Sequence, residues 1–168
     1  MTAMTAEYTI EPITAQHDRA SFDCGEPSLN VFLQRFARQN DEKGLGRTYV
    51  AVRPGERRIY GYYTIAGGAL QFDTVPEKLP RYPIPVVHLG RLGVALEMKG
   101  QGLGKALLAD ALQRIAGIAE QLGIYAVEVY ALTDAAKAFY LKFGFQPLLD
   151  DALHLYLPLK TLRKFLPL

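Results

Sequence analysis

The spacing of apolar residues divides the first part of the chain into a strand and a helix. Tyr8 and Ile10 alternate with polar neighbours in Glu7–Ile13, which predicts a strand. In Pro27–Asn40, apolar residues recur three and four positions apart, and Gly44 follows as a stop signal. We therefore predict one helix over this segment. Its apolar face consists of Leu29, Phe32, Leu33, Phe36 and Ala37.

Two strand patterns and a long irregular segment come next. Thr48–Arg53 and Arg58–Ala66 are strand-like, and the sequence between them contains Pro54 and Gly55, which are typical of tight turns. We predict a hairpin here. Gly67–Pro85 is rich in proline towards its end and is predicted to be a loop with a short helix.

Strand and helix patterns alternate in the second half of the chain, with no repeat and no linker. Several strands thus precede a strand-helix-strand-helix-strand series, which predicts an α/β (α+β) fold with a mixed sheet in a single domain over residues 1–168. The predicted elements are a strand Val86–Val94, a helix Gly102–Gln121, a strand Ile124–Tyr130, a helix Asp134–Lys142, and two closing strands, Phe143–Leu149 and Leu153–Leu159.

Composition excludes several classes of protein. Of the 168 residues, 49% are hydrophobic, which is enough to form a core and excludes a disordered chain. The longest uncharged run, Ile59–Phe72, contains glycines and polar groups and is too short for a membrane span. The first residues lack the basic and apolar regions of a secretory signal, and Cys24 is the single cysteine. We expect a cytoplasmic protein without a membrane segment, a disulfide or a metal site.

The net charge of +2 is small, but its distribution is uneven. Residues 31–60 contain seven basic residues against three acidic ones, so positive charge is concentrated in this early segment. From sequence alone, this is either an ordinary solvated surface or a face that contacts phosphates. The basic residues are Arg35, Arg38, Lys43, Arg47, Arg53, Arg57 and Arg58.

The most informative motif is a glycine loop between a predicted strand and a predicted helix. Gly100, Gly102 and Gly104 alternate with other residues, so the backbone can approach a ligand, and the free amides of the helix start favour phosphate. A P-loop would require glycine at Lys99 and a hydroxyl at Ala106, and a dinucleotide loop would require glycine at Lys105. Both of these phosphate loops are therefore excluded.

The motif resembles the acetyl-CoA loop of the GNAT N-acetyltransferase superfamily. The loop reads Lys99-Gly-Gln-Gly-Leu-Gly104, the preceding strand Leu89-Gly-Arg-Leu-Gly-Val94, and a later helix Ala135-Ala-Lys-Ala-Phe-Tyr-Leu-Lys-Phe-Gly-Phe145. The resemblance extends over essentially the whole chain. It implies the GNAT fold, a mixed and mostly antiparallel sheet that is splayed at its fourth strand and flanked by helices.

The resemblance also implies acetyl-CoA as cofactor. Loop amides would bind the pyrophosphate, and backbone groups of Leu92 and Val94 would contact the pantetheine arm. Lys99 stands where the family usually has Gln or Arg, and a cation there still suits an anionic ligand. The implied coenzyme-binding residues are Leu92, Gly93, Val94, Lys99, Gly100, Gln101, Gly102, Leu103, Gly104, Lys105, Thr133, Ala136 and Phe139.

For catalysis, Tyr140 matches the family's general acid, and the amide of Val94 would hold the oxyanion. With reference pKa values near 10 for a phenol and 8.5 for a thiol, the proton transfer is uphill by about 2 kcal/mol. Without the motif, Tyr140 would be interpreted as an ordinary packed tyrosine. Thr133, where the family often has Asn, can cap the helix. His88 and Glu97 are the nearest candidates for a general base, and neither is assigned.

A second motif resembles the toxin branch of GNAT proteins found in bacterial toxin-antitoxin modules. Its residues F-x-C-G-x-x-x-L-N-x-F-L are Phe22, Cys24, Gly25, Leu29, Asn30, Phe32 and Leu33. The resemblance implies acetylation of the α-amine of the amino acid on charged tRNA, which blocks translation, and a small, DNA-binding antitoxin as partner. Cys24 is interpreted as a packed residue rather than a nucleophile.

This second resemblance implies that the early basic segment contacts the phosphates of tRNA. The candidate tRNA-contacting residues are Arg35, Arg38, Lys43, Arg47 and Arg91. Two alternatives stay open: a GNAT enzyme for a small amine or a protein N-terminus, and a non-catalytic coenzyme-binding co-repressor that acts with a DNA-binding antitoxin. A homodimer is also left open.

Overall fold

The structure is a computed structural model that describes residues 8–166, and it contains a seven-stranded sheet with helices. The strands are β1 (Thr9–Pro12), β2 (Arg47–Val52), β3 (Gly61–Leu70), β4 (Ile84–Val94), β5 (Ala126–Tyr130), β6 (Gln146–Pro147) and β7 (His154–Pro158). The helices are α1 (Pro27–Val31), α2 (Ala37–Glu42), α3 (Leu103–Ile118), α4 (Asp134–Leu141) and α5 (Leu159–Leu162). A π turn (Phe32–Phe36) joins α1 to α2, and Phe72–Thr74 and Leu96–Met98 form 3₁₀ turns.

The sheet order is β1-β2-β3-β4-β5-β7-β6. β4 and β5 pair in parallel, whereas β1 with β2, β2 with β3, β5 with β7 and β6 with β7 pair antiparallel. The predicted mixed, mostly antiparallel sheet is therefore confirmed. The parallel register joins Val86–His88 to Ala126–Glu128 and stops short of the carboxyl ends of both strands. The resemblance predicts that the sheet opens at this fourth strand.

The described residues form two compact units, 8–66 with Gly90–Ala111, and Gly67–Leu89 with 112–166. In the first unit, Leu33, Tyr62, Tyr63, Leu103 and Leu107 are almost fully buried. The second unit has a core cluster of Leu70, Val75, Ile84, Val86, Ala126, Leu148 and Tyr156. The single domain over residues 1–168 stays a prediction. Among the described residues, no helix has the length and apolar character that a membrane crossing requires.

The predicted helix over Pro27–Asn40 is the clearest local difference. The amide of Ala37 donates to the carbonyl of Phe32, five positions earlier, so the π turn adds a residue between α1 and α2. This addition rotates the apolar stripe, and Phe36, predicted to be buried, is 49% exposed. The prediction of one uninterrupted α-helix is wrong because periodicity alone cannot reveal a one-residue insertion.

Other boundaries differ by a few residues. The predicted strand Glu7–Ile13 begins on Glu7, which lies outside the described residues, and its observed part is β1. The hairpin at Pro54 and Gly55 is confirmed. However, β3 starts three residues later than predicted and extends through Gly67 and Gly68 to Leu70, into the predicted loop.

The end of the chain differs more. Only Gln146–Pro147 of the predicted strand Phe143–Leu149 is a strand, because Gly144, with φ +94°, turns the chain directly after α4. Helix α5 was not predicted. The pairs of Gln146 with Tyr156 and of Pro147 with Leu155 place β6 at the edge of the sheet, where proline is tolerated.

Candidate active site

The site's first part is built around the end of β4, in the first unit. A Cβ atom at Gly61 of β3 would lie 2.8 Å from Leu107 Cδ1 and 3.1 Å from the carbonyl oxygen of Gly93. Only glycine therefore lets β3 approach both α3 and β4 so closely. After β4, the amide of Ala95 donates to Tyr60 O at 2.9 Å and fixes where the chain leaves the strand.

The glycine loop follows the turn Leu96–Met98. Gly100 and Gly102 have φ values of +78° and +87°, in the left-handed region that favours glycine, and a Cβ at either would meet no atom within 4 Å. The amide of Ala106 donates to Gly102 O at 3.0 Å. The amides of residues 103–105, in the first turn of α3, have no acceptor within the helix. The loop is thus a backbone site suited to a phosphate group.

Lys99, the residue that departs from the family pattern, lies beside Asp23. Its Nζ is 3.9 Å from the position that a Cβ of Gly25 would occupy. The pKa of the Asp23 carboxyl is lowered by the amide of Gly25, by the side chain of Asn30 and, more weakly, by the charge of Lys99. The positive charge of Lys99 lies near the negative charge of Asp23. We therefore expect the loop amides to contribute more to anion binding than Lys99 does.

The residues of the second motif form a compact loop that packs against β4. Asn30 Oδ1 accepts from the amide of Cys24, and Asn30 Nδ2 donates to Asp23 Oδ1, both at 2.9 Å. The amide of Leu96, directly after β4, donates to Asp23 O at 3.0 Å. A Cβ at Gly93 would lie 3.5 Å from Cys24 Sγ. This motif therefore supports the strand end that leads into the glycine loop.

Cys24 itself is 2% exposed, and burial raises the pKa of its thiol. Both properties suit a packed residue, because a nucleophilic cysteine needs an accessible thiolate. The same segment also holds Tyr62, whose hydroxyl donates to Leu29 O at 2.7 Å.

Tyr140 lies in the last turn of α4, in the second unit. Its ring is surrounded by Phe139 and Phe145, with ring centroids 5.3 and 5.4 Å away, and the residue is 6% exposed. Within residues 8–166 the hydroxyl makes no hydrogen bond. A buried ring whose hydroxyl is not engaged by these residues suits a proton donor.

Burial raises the pKa of the Tyr140 phenol. The phenol is therefore protonated throughout the physiological range. The same shift makes complete proton transfer to a thiolate more unfavourable than the reference values in the sequence analysis suggest. Tyr140 is thus suited to donate its proton only as negative charge develops on the leaving sulfur.

The start of α4 is capped as predicted. Thr133 Oγ1 accepts from the amide of Ala136 at 3.1 Å. Thr133 is exposed, and Ala136 and Phe139 are partly buried on the same helix as Tyr140. The predicted coenzyme residues thus fall into two groups, those of β4 and the glycine loop in the first unit and those of α4 in the second.

The two unassigned candidates for a general base have different partners. Glu97 forms an ion pair with Arg58, whose guanidinium also lies 4.7 Å from the centre of the Tyr60 ring. His88 bonds through Nδ1 to Glu128 Oε1 at 2.7 Å. Glu97 is therefore neutralised by a cation, whereas the outer ring nitrogen of His88 has no protein partner among residues 8–166.

The predicted tRNA-contacting residues do not all have the same surroundings. Arg38 pairs with Glu42 at 2.5 Å, and Arg47 pairs with Asp41 at 3.2 Å. Arg91 lies over the ring of Phe32 at 3.8 Å. Lys43 is exposed at the end of α2.

Unlike Arg38 and Arg47, which form ion pairs, Arg35 lines a cleft of about 740 Å³. We call this the arginine cleft; its lining residues are His17, Asp18, Arg19, Ala20, Gln34, Arg35, Arg57 and Arg58. Arg19 and Arg35 have no ion-pair partner among the described residues. Arg19 was not among the residues predicted from the sequence, because its position beside the basic segment depends on the parallel bridge between Asp18 and Arg58, which joins distant segments.

Comparison with known proteins identifies the family. The model of the acetyltransferase (GNAT) domain matches residues 44–147, more than half of the chain. A tRNA-acetylating toxin of Mycobacterium tuberculosis is 39% identical over 154 residues, which cover 90% of this chain and 92% of the relative. The chain belongs to the GNAT acetyltransferase family. The resemblance stated from the sequence is thereby confirmed.

Solved structures place this GNAT protein beside toxins. AtaT complexed with acetyl-methionyl-tRNAfMet superposes with a TM-score of 0.88 at 34% identity, covering 94% of this chain and 98% of AtaT. A mutant AtaT toxin bound to the C-terminus of the antitoxin AtaR and acetyl-CoA gives a TM-score of 0.83 at 33% identity, covering 94% and 97% of the two chains. The toxin branch is thus the part of the GNAT family that this chain resembles.

Proposed function

We propose that this GNAT protein transfers the acetyl group of acetyl-CoA to the α-amine of the amino acid on charged tRNA and blocks translation as the toxin of a toxin-antitoxin pair. The observation that carries the proposal is the second motif, which holds the end of β4 through Asp23, Asn30 and Leu96. A relative named as a tRNA-acetylating toxin and the solved complex of AtaT with acetyl-methionyl-tRNAfMet support the same substrate class.

Acetyl-CoA is the proposed cofactor. The loop amides of residues 100–105 would hold its pyrophosphate, and the backbone of residues 92–94 would contact its pantetheine arm, with Lys99 adding positive charge. Thr133, Ala136 and Phe139 of α4 are proposed to contact the coenzyme as well. When bound, acetyl-CoA supplies an activated thioester carbonyl.

The transfer needs two protein groups at the carbonyl. We assign the amide of Val94 to the oxygen of the tetrahedral intermediate and the hydroxyl of Tyr140 to the departing sulfur. The Tyr140 assignment is supported by a hydroxyl that has no hydrogen-bond partner in residues 8–166 and by the raised pKa that keeps it protonated.

We propose the arginine cleft, which combines Arg19 with Arg35, Arg57 and Arg58 of the basic segment, as the contact surface for tRNA phosphates. Arg19 and Arg35 have no carboxylate partners within the described residues, whereas Arg38 and Arg47 are already paired. Because a paired arginine must first lose its partner, we expect smaller contributions from Arg38 and Arg47 than the sequence suggests.

Because the proposed substrate is charged tRNA and the proposed cofactor is acetyl-CoA, we propose that the activity takes place in the cytoplasm. The proposed protein partner is a small DNA-binding antitoxin, because structural neighbours include a toxin with its antitoxin and a toxin-antitoxin complex on DNA. A homodimer stays a prediction.

The proposal is tested by incubating the protein with labelled acetyl-CoA and either charged or deacylated bacterial tRNA. Label should appear on the charged pool and disappear when the aminoacyl ester is hydrolysed. Labelling of spermidine or of a peptide N-terminus, with none on charged tRNA, would favour the alternative GNAT substrates. Coenzyme binding without any acetyl transfer would favour the co-repressor.

A further inference from the structure

The π turn Phe32–Phe36 of the first unit brings an aromatic side chain to the surface. Phe36, the last residue of the turn, is 49% exposed, although its spacing from the apolar residues before it is that of a core position. The residue that the turn adds to the helical path rotates Phe36 away from the apolar stripe. Phe36 is therefore an exposed ring at the edge of a buried stripe. The buried members of the stripe are Leu29, Phe32, Leu33 and Ala37.

Two further exposed side chains lie beside this ring. Arg35 directly precedes Phe36, and Val31, which is 41% exposed, lies one turn earlier on the same side of the helical segment. Gln34 Nε2 donates to the carbonyl oxygen of Phe22 at 3.0 Å and fastens the turn to the loop of the second motif. We call the exposed surface of Val31, Arg35 and Phe36 the π-turn face. It presents a ring, an aliphatic side chain and a cation on a fixed backbone.

The helical segment that carries the π-turn face packs against the end of β4. The guanidinium carbon of Arg91 lies 3.8 Å from the centre of the Phe32 ring. A Cβ atom at Gly93 would lie 3.5 Å from Leu29 Cδ1. Arg91 and Gly93 are two positions apart, so both lie on the same side of the strand, and Val94 follows directly. The segment therefore borders the strand end to which we assign the oxyanion contact.

The charges around the π-turn face indicate what kind of partner covers it. Arg35 and Arg91 have no ion-pair partner in the part of the chain that the structure describes, and Arg35 also lines the arginine cleft. An uncharged protein surface would bury these cations without a counter-charge, which is costly. Single-stranded nucleic acid instead offers a phosphate for each cation and a base that stacks on an exposed aromatic ring. The composition of the face therefore favours an unpaired nucleotide.

We propose that the Phe36 ring stacks an unpaired base at the aminoacylated end of tRNA, while Arg35 contacts a neighbouring phosphate. The inference rests on the proposed function, because the amino acid that is acetylated is carried by this single-stranded end. Stacking on a ring is tolerant of sequence, since every base has a π face. Phe36 is thus a substrate-positioning residue that holds the end of the RNA beside β4, and it does not select among tRNAs.

The test is a double-mutant cycle between the ring and the bases. The probe is an RNA hairpin that reproduces a tRNA acceptor stem with its unpaired 3′ nucleotides, and each of a set of further hairpins lacks the base of one of these nucleotides. Phe36→Leu should raise the Kd of the intact hairpin about tenfold, as expected for one stacked base. With the hairpin that lacks the stacked base, the same substitution should change the Kd less than about twofold. Phe36→Tyr, which keeps the ring, should bind like the wild type.

Two controls separate stacking from charge and from general exposure of a ring. Phe36→Leu should leave the salt dependence of binding unchanged, whereas Arg35→Gln should lower its slope by about one phosphate contact. Phe165→Leu makes the same change at a phenylalanine of the second unit that is 69% exposed, and it should match the wild type. Titration with acetyl-CoA verifies that each variant folds. If Phe36→Leu does not bind the coenzyme, Phe36→Gln takes its place in the cycle.

Failure of the stacking role and failure of the proposed function give different results. A wild type that neither binds the hairpins nor labels charged tRNA overturns the proposed function itself. A wild type that labels charged tRNA, with a Phe36→Leu effect that is absent or equal for every hairpin, overturns only the role of Phe36. A change in the sedimentation coefficient of Phe36→Leu without RNA would assign the ring to a contact between copies of the chain and would overturn the stacking role as well.

Discussion

The glycine loop and the surroundings of Tyr140 are built in opposite ways. The loop presents main-chain amides, and Cβ atoms at Gly100 and Gly102 would meet nothing within 4 Å. Tyr140 is held by aromatic side chains and presents a single functional atom. In the proposed mechanism, coenzyme binding is spread over several amides, whereas proton donation depends on one hydroxyl. We therefore expect the replacement of the usual Gln or Arg by Lys99 to affect phosphate binding little.

The largest effect is expected where a side chain is forced into the loop. Gly102→Glu should abolish acetyl-CoA binding, because it combines an unfavourable φ of +87° with a negative charge beside the phosphate site. Titration calorimetry with acetyl-CoA measures the affinity of the variant. Gly55→Glu is the matched control, since Gly55 also has a positive φ, +79°, and an open Cβ position. Normal binding by Gly102→Glu would show that the loop is not the coenzyme site.

The next largest effect concerns the single hydroxyl. Tyr140→Phe should keep acetyl-CoA affinity and lower kcat by about 10²-fold, since the ring packing remains and only the proton donor is lost. Steady-state acetylation of charged tRNA gives kcat, and calorimetry gives the affinity. Tyr82→Phe, which removes the hydroxyl of an exposed ring, should not change either value. An unchanged kcat for Tyr140→Phe would assign the proton to another group.

A smaller effect, on the KM for charged tRNA, distinguishes an arginine without an ion-pair partner in residues 8–166, Arg35, from a paired one, Arg38. Arg35→Gln should raise the KM for charged tRNA about threefold to tenfold and lower its salt dependence by about one phosphate contact. Arg38→Gln, three positions along the same segment, should change the KM less than about twofold because Arg38 already pairs with Glu42. Equal effects of both variants would contradict a special role of the arginine cleft.

Local patterns predicted most of the fold, and the differences have physical causes. Periodicity gave β2, α3, β5, β7 and α4 to within a few residues, because each has a regular apolar face. Periodicity missed the π turn at Phe32–Phe36, because apolar spacing alone cannot reveal the insertion of one residue into a helix. Periodicity also predicted a strand over Phe143–Leu149 that is longer than the observed β6, because Gly144 turns the chain there.

The candidate site was predictable where the residues are adjacent in sequence. The glycine loop and the cap at Thr133 are local motifs, and both have the expected conformation. The arginine cleft joins segments far apart in the chain, so no spacing rule reveals it.

The smallest expected effect tests the helix that carries Tyr140. Thr133→Ala removes the acceptor of the Ala136 amide and should lower the free energy of unfolding by about 1 kcal/mol. For a chain of this size, that corresponds to a decrease in Tm of about 2–4 °C. Ser28→Ala is the control, since α1 has no side-chain cap and Ser28 is exposed. If both variants melt alike, the cap does not hold α4, and the aromatic contacts of Tyr140 must fix its position alone.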